Sequence, residues 1–172
     1  GNLRTANYSG VEFYYDTPFL LDLLGYQSEE AERAAKELHN MLRRQKAKCF
    51  YFPHTETELT AILTAYQRTI EGKNRSWRTL EGLDQRKYSS AGVERLKQGW
   101  PRTLEESFGI KLKPTPEYAK KPDGTVDEAG VLDEKEIRER ILDQAHHYSP
   151  DNLDRDMESV LAIHRLRLGY TC

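Results

Sequence analysis

Residues 11–26 read VEFYYDTPFLLDLLGY, and this stretch decides the fold class. Val11 to Tyr15 is β-branched and aromatic, the composition of a strand. Asp16 ends that run. Thr17-Pro18 then has the form of an N-cap followed by proline at the first helical position. The short helix it predicts, Phe19 to Leu24, stops at Gly25. An acid is therefore expected at the tip of a strand, where the chain turns into a helix.

Downstream, Ser28 is placed to cap a helix running to about Gln45. Its predicted apolar face is Ala31, Ala34, Ala35, Leu38 and Leu42. KCFYF at 48–52 reads as a second strand. Two short strands separated by two helices cannot form a hairpin, so they are expected parallel, joined by a right-handed crossover. After Pro53 a long helix is predicted, with Leu59, Ile62, Leu63, Tyr66 and Ile70 on one face.

The next stretch is less regular. Trp77, Leu80 and Leu83, then Val93, Leu96 and Trp100, predict two short helices. LKPTPEYAKKPDGTVDEAG, 112–130, predicts a polar loop with three prolines. Residues 133–147 predict a polar helix. SPD at 149–151 opens a last one, with Met157, Val160, Leu161, His164 and Leu168 spaced for burial. The expected fold is α/β. It is a single domain over 1–172, with its core at about 8–72 and 133–172 and a helical insertion at about 73–132.

Composition narrows the class. At 172 residues the chain is long enough for one domain with a core. Hydrophobic residues make up 37% and charged ones 31%, which suits a folded polar protein rather than a disordered one. No apolar run approaches the roughly 20 residues of a membrane helix, and the first residues do not resemble a secretory leader. Two cysteines, Cys49 and Cys172, do not make a disulfide framework. A cytoplasmic protein with no membrane association is expected. Charge is uneven: residues 68–121 hold 13 Lys/Arg against 7 Asp/Glu, while 122–172 hold 6 against 12. Such a basic middle either meets a polyanion or is simply a solvated surface.

Acids recur where ligands bind in open parallel sheets, outside the carboxyl ends of the strands. Asp16 follows the first strand, and Glu56 and Glu58 open the helix after the second. Asp151, Asp154, Asp156 and Glu158 lie early in the last helix. Gathered carboxylates repel one another unless a cation neutralises them, and hard oxygen donors suit magnesium or manganese. Each acid also has a plain structural role open to it. Asp16 is a possible N-cap, Thr55 and Glu58 form a capping box, and Asp151 and Asp154 complement a helix N-terminus. His146-His147 point about 100° apart on a helix, and Cys49 with His54 lacks two further zinc ligands.

Three of these stretches together resemble the PIN-domain nucleases. YYDTPFLLDLL looks like that family's first strand and helix, an apolar strand ending in Asp-Thr. FPHTETELTAIL resembles its second acidic motif, and DMESVLAIHRLRLGY its third. The resemblance covers about residues 8–72 and 151–172. It implies a three-layer α/β/α fold with a short central parallel sheet. It also implies magnesium- or manganese-dependent hydrolysis of RNA phosphodiester bonds in a bacterial cell. Carried over, Asp16, Glu58 and Asp156 are the catalytic, metal-binding acids, with Glu56 and Asp154 as substitutes. Phosphates would be met by Arg75, Arg78, Arg86 and Lys87, and a base by Tyr88 or Trp77, for which a core role is the alternative. A protein partner or a second copy of the chain is a further expectation.

Two departures from the family are visible. The segment 73–150 is longer than its usual connection, and the family continues past the position of Cys172 into a strand with a fourth acid. The alternative reading is a catalytically incomplete PIN-like module that binds or scaffolds within a larger protein. A third is an unrelated α/β domain that binds a nucleotide or a protein.

Overall fold

The computed structural model describes residues 7–73, 80–117, 132–144 and 150–168. The chain forms two compact units, Gly1–Lys113 and Pro114–Cys172. In the first unit the order is β1 (Glu12–Tyr14), α1 (Thr17–Leu23), α2 (Glu29–Arg44), β2 (Lys48–Tyr51), α3 (Pro53–Ile70), α4 (Glu81–Gln85), α5 (Ser90–Thr103), a π-helical turn (Leu104–Phe108) and β3 (Lys111–Leu112). The second unit holds α6 (Glu134–Gln144) and α7 (Pro150–Arg167). This is the expected helix-rich α/β class.

The three strands form one sheet in the order β1-β2-β3, and both pairs are parallel. Glu12 stands opposite Lys48, Tyr14 opposite Phe50, and Phe50 opposite Lys111. Strand alternation sends successive side chains to opposite faces. Tyr15, Cys49 and Tyr51 are buried in one core with Leu20, Leu21 and Leu23 of α1, Ala35 and Leu42 of α2, and Leu59, Leu63 and Tyr66 of α3. The other face carries Tyr14 and Phe50, both half-buried. Phe52 stacks on Tyr14 there at 4.5 Å, and the Lys113 ammonium lies 5.0 Å above the Phe50 ring.

Residues 80–112 of the stretch read as an insertion build this unit rather than decorate it. Leu80, Leu83, Val93, Trp100, Leu104 and Ile110 are all buried in the same core, and β3 completes the sheet. The strand escapes sequence reading because it has two exposed residues, one of them lysine. The path into it turns on two local devices. Pro101 has no amide hydrogen and clashes with the carbonyl four residues back, and the helix widens into the π turn just after it. Gly109 then closes the helix with φ +68°, a left-handed conformation that glycine adopts without strain. Elsewhere in the stretch, 74–79 and 118–131 lie outside the described residues.

Two predicted helix faces are rotated. On α2 the buried residues are Ala35, His39 and Leu42, while Ala34 and Leu38 are exposed. Among the described residues of α7 they are Leu153, Met157, Leu161 and Ala162, while Val160 and, just past the helix, Leu168 are exposed. Leu153, Met157 and Leu161 are four apart and form a stripe against Ile137 and Ile141 of α6. In both cases apolar composition was broader than the face that finds a partner.

Candidate active-site edge

β1 delivers the chain to the carboxyl edge of the sheet, where the Tyr15 amide still bonds Phe50 O at 2.9 Å. Asp16 follows, and it is the N-cap of α1: its Oδ1 accepts from the Phe19 amide at 3.2 Å. Thr17, expected as the cap, is instead the first helical residue and is buried. Its hydroxyl is thereby released to donate to Glu58 Oε2 at 2.5 Å, across 41 residues of sequence. Pro18 at the second helical position has no amide hydrogen to leave unbonded there.

Glu58 is placed by α3, which begins at Pro53 with Phe52 as its N-cap and no side-chain cap bond. The helix thus starts earlier than a Thr55–Glu58 capping box requires. Thr55 is buried inside the first turns, and Glu58 turns to Thr17. Glu56 is half-buried on the same turns. Burial pushes the Tyr51 hydroxyl up to about 12, and the charges of Glu56 and Glu105 add to that. Thus Asp16, Thr17 and Glu58 share one edge of the sheet.

The remaining acids belong to the second unit. Asp156 is exposed on α7, and Asp154 pairs with Arg138 of α6. Among the described residues no group of three or more His, Cys, Asp or Glu side chains is placed to hold a metal ion. The donor chemistry of Asp16 and Glu58 suits magnesium or manganese. A carboxylate offers about four lone-pair sites, so one capping bond does not exhaust Asp16.

Of the cations expected to meet phosphate, Arg75 and Arg78 lie outside the described residues, as do Trp77 and His146-His147. Arg86 is ion-paired with Glu32 of α2 at 3.2 Å, and Glu32 also binds Lys36. Lys87 is exposed. Tyr88 is half-buried and packs against the main core, as its core reading has it. No helix among the described residues is long and apolar enough to cross a membrane.

One polar cluster went unread in the sequence. His39 is buried, with Nδ1 3.0 Å from the Tyr15 hydroxyl and Nε2 2.9 Å from the Phe108 carbonyl. A carbonyl only accepts, so Nε2 carries the hydrogen and Nδ1 accepts from Tyr15. The Tyr15 oxygen in turn lies 3.3 Å from Cys49 Sγ. Burial holds the Cys49 thiol up and the His39 imidazole down, which in each case favours the neutral form. A histidine flanked by Leu38 and Asn40 carries no local sign of this network. No family model, curated protein or solved structure matches the chain, so the chemistry open to its acidic edge is read from these residues alone.

Proposed function

We propose that the chain is a PIN-like domain that hydrolyses RNA phosphodiester bonds with magnesium or manganese. In this reading Asp16 and Glu58 are metal-binding acids at the sheet edge, and Asp156 is the third acid that the family resemblance assigns. The observation that carries it is the Thr17 hydroxyl, which ties Glu58 to the residue next to Asp16 at the carboxyl edge of β1. That pairing supports the reading, because the first two acidic motifs of such a domain would stand in this order. The α1 cap holds Asp16 in place, and the Thr17 bond holds Glu58, so neither carboxylate needs to be ordered when substrate arrives. A bound divalent ion supplies an electrophile for phosphate oxygens and acidifies water.

The test pairs a nuclease assay with thermal melting. Manganese should raise the melting temperature of the wild-type chain, because a ligand present at about 100 times its dissociation constant stabilises by about 2.7 kcal/mol. Asp16→Asn keeps the cap and should lose both the manganese effect and the cleavage of single-stranded RNA. A melting temperature indifferent to manganese, with no cleavage, would reject the enzyme.

A second reading is a binding or scaffold module without catalysis. It is favoured by the engagement of Arg86, one of the cations expected to meet phosphate, with Glu32 of α2. A module that binds RNA would hold it without cleavage, with affinity falling steeply as salt rises.

A further inference from the structure

α2 carries two apolar stripes, and the core uses one of them. Ala35, His39 and Leu42 face inward. Beside them run Ala31, Ala34, Leu38 and Met41, spaced three, four and three residues apart. That is the a/d spacing of a helix–helix seam. Leu38 is 43% exposed and Met41 45%, the largest apolar side chains presented by this helix. Ala34 is exposed as well, and Ala31 is half-buried.

We propose that this stripe is a homodimer seam, in which α2 packs antiparallel against α2 of a second copy of the chain about a two-fold axis. Two features of the helix select that occupant. The first is size. With the axis between the two helices near residue 36, Ala31 meets Met41 of the other copy and Ala34 meets its Leu38. Each large side chain then faces a small one, so the helices approach closely without voids. The second is charge. Residues 30, 37 and 44 line the outer border of the stripe, and they are Glu, Glu and Arg, all exposed. The same axis brings Glu30 of one copy to Arg44 of the other, twice. More broadly, α2 has Glu29, Glu30 and Glu32 in its first turn and Arg43 and Arg44 in its last. An antiparallel pair sets acidic end against basic end, and a parallel pair sets like against like. The Glu32–Lys36 and Glu32–Arg86 pairs lie on the far side of the helix and are undisturbed. Glu37 meets its own symmetry mate, the one unfavourable contact in the seam. A helix of 16 residues presents about 24 Å of seam, short of a standard interface, so association is reversible and weak.

Sedimentation equilibrium of the full chain across a wide concentration range tests this. The wild type should show a monomer–dimer equilibrium. Leu38→Lys with Met41→Lys should weaken it roughly tenfold or more and leave the melting temperature of the dilute monomer unchanged. Glu30→Arg and Arg44→Glu should each weaken self-association, and an equimolar mixture of those two variants should restore it, because the mixed dimer regains both ion pairs. Glu37→Gln should strengthen the dimer. A chain that stays monomeric throughout overturns the proposal. So does a dimer indifferent to the two lysines, or a mixture no tighter than its components. A lowered melting temperature for the lysine variant in dilute monomer would also overturn it, since the stripe would then be covered by its own chain.

Discussion

Tyr15 and Asp16 are consecutive, yet they belong to different kinds of environment. Tyr15 points into the core, where its hydroxyl joins His39 and Cys49. Asp16 is exposed at the sheet edge, capping a helix with one carboxylate oxygen. The interior network bonds α2 to the sheet through His39 and so specifies the packing of that helix. The edge is braced by the bond that Asp16 accepts from the Phe19 amide and by the Thr17 hydroxyl on Glu58. Fold and candidate function are thus separated by a single peptide bond, because β-strand alternation reverses the side-chain direction at each residue.

The sharpest way to break this contrast is to damage the interior. Leu20→Ala, at a fully buried position on α1, should cost about 2–5 kcal/mol through lost burial and the cavity left behind. Urea denaturation measures it. A loss below about 1 kcal/mol would mean that α1 is not anchored as described.

His39 tests the polar half of the interior. His39→Phe keeps an aromatic ring but leaves the Phe108 carbonyl and the Tyr15 hydroxyl short of a partner. A cost of about 2–4 kcal/mol is expected from two such groups. The wild type should also show a pH signature. Burial lowers the His39 pKa, the Phe108 bond opposes this, and the charge of Arg43 adds to the lowering. The unfolded chain therefore binds a proton near pH 6.5 while the folded one does not. The stability contributed by neutral His39 is complete above about pH 6.5. It is lost as pH falls from there through the lower folded-state value. His39→Phe should flatten that slope, and an unchanged slope would assign it to other groups.

The edge should respond least. Asp16→Ala removes the cap of α1 and should cost about 1 kcal/mol, whereas Asp16→Asn should be nearly neutral because asparagine caps as well. Equal losses from the two substitutions would show that the charge itself, not the cap, stabilises the helix.

Much of this architecture is legible in the chain. VEFYY and KCFYF announce strands by composition, Pro18 and Pro53 mark helix starts, and the two intervening helices force the strands parallel. Asp16 and Glu58 are legible as edge acids for the same reason: a parallel strand delivers its next residues to its carboxyl end. What the chain does not announce is anything set by a distant partner. Thr17 scores as a cap by local rules, and only the arrival of α3 converts its hydroxyl into a support for Glu58. Asp16 and Asp154 are equivalent as acids early in helices, yet Asp154 is bound to Arg138 while Asp16 caps α1.

By itself, then, the sequence determined the α/β class, the parallel pairing of β1 with β2 and the presence of acids at their edge. These follow from composition, proline placement and strand period, all of which act over a few residues. Tertiary structure alone decided that 80–112 supply a strand and a share of the core, and that α2 is rotated to bury His39 rather than Leu38. It likewise decided that Thr17 braces Glu58. The reason is physical: burial and hydrogen-bond partnership depend on which surface lies opposite. Where a helix is apolar over more than one face, its own residues cannot choose among them.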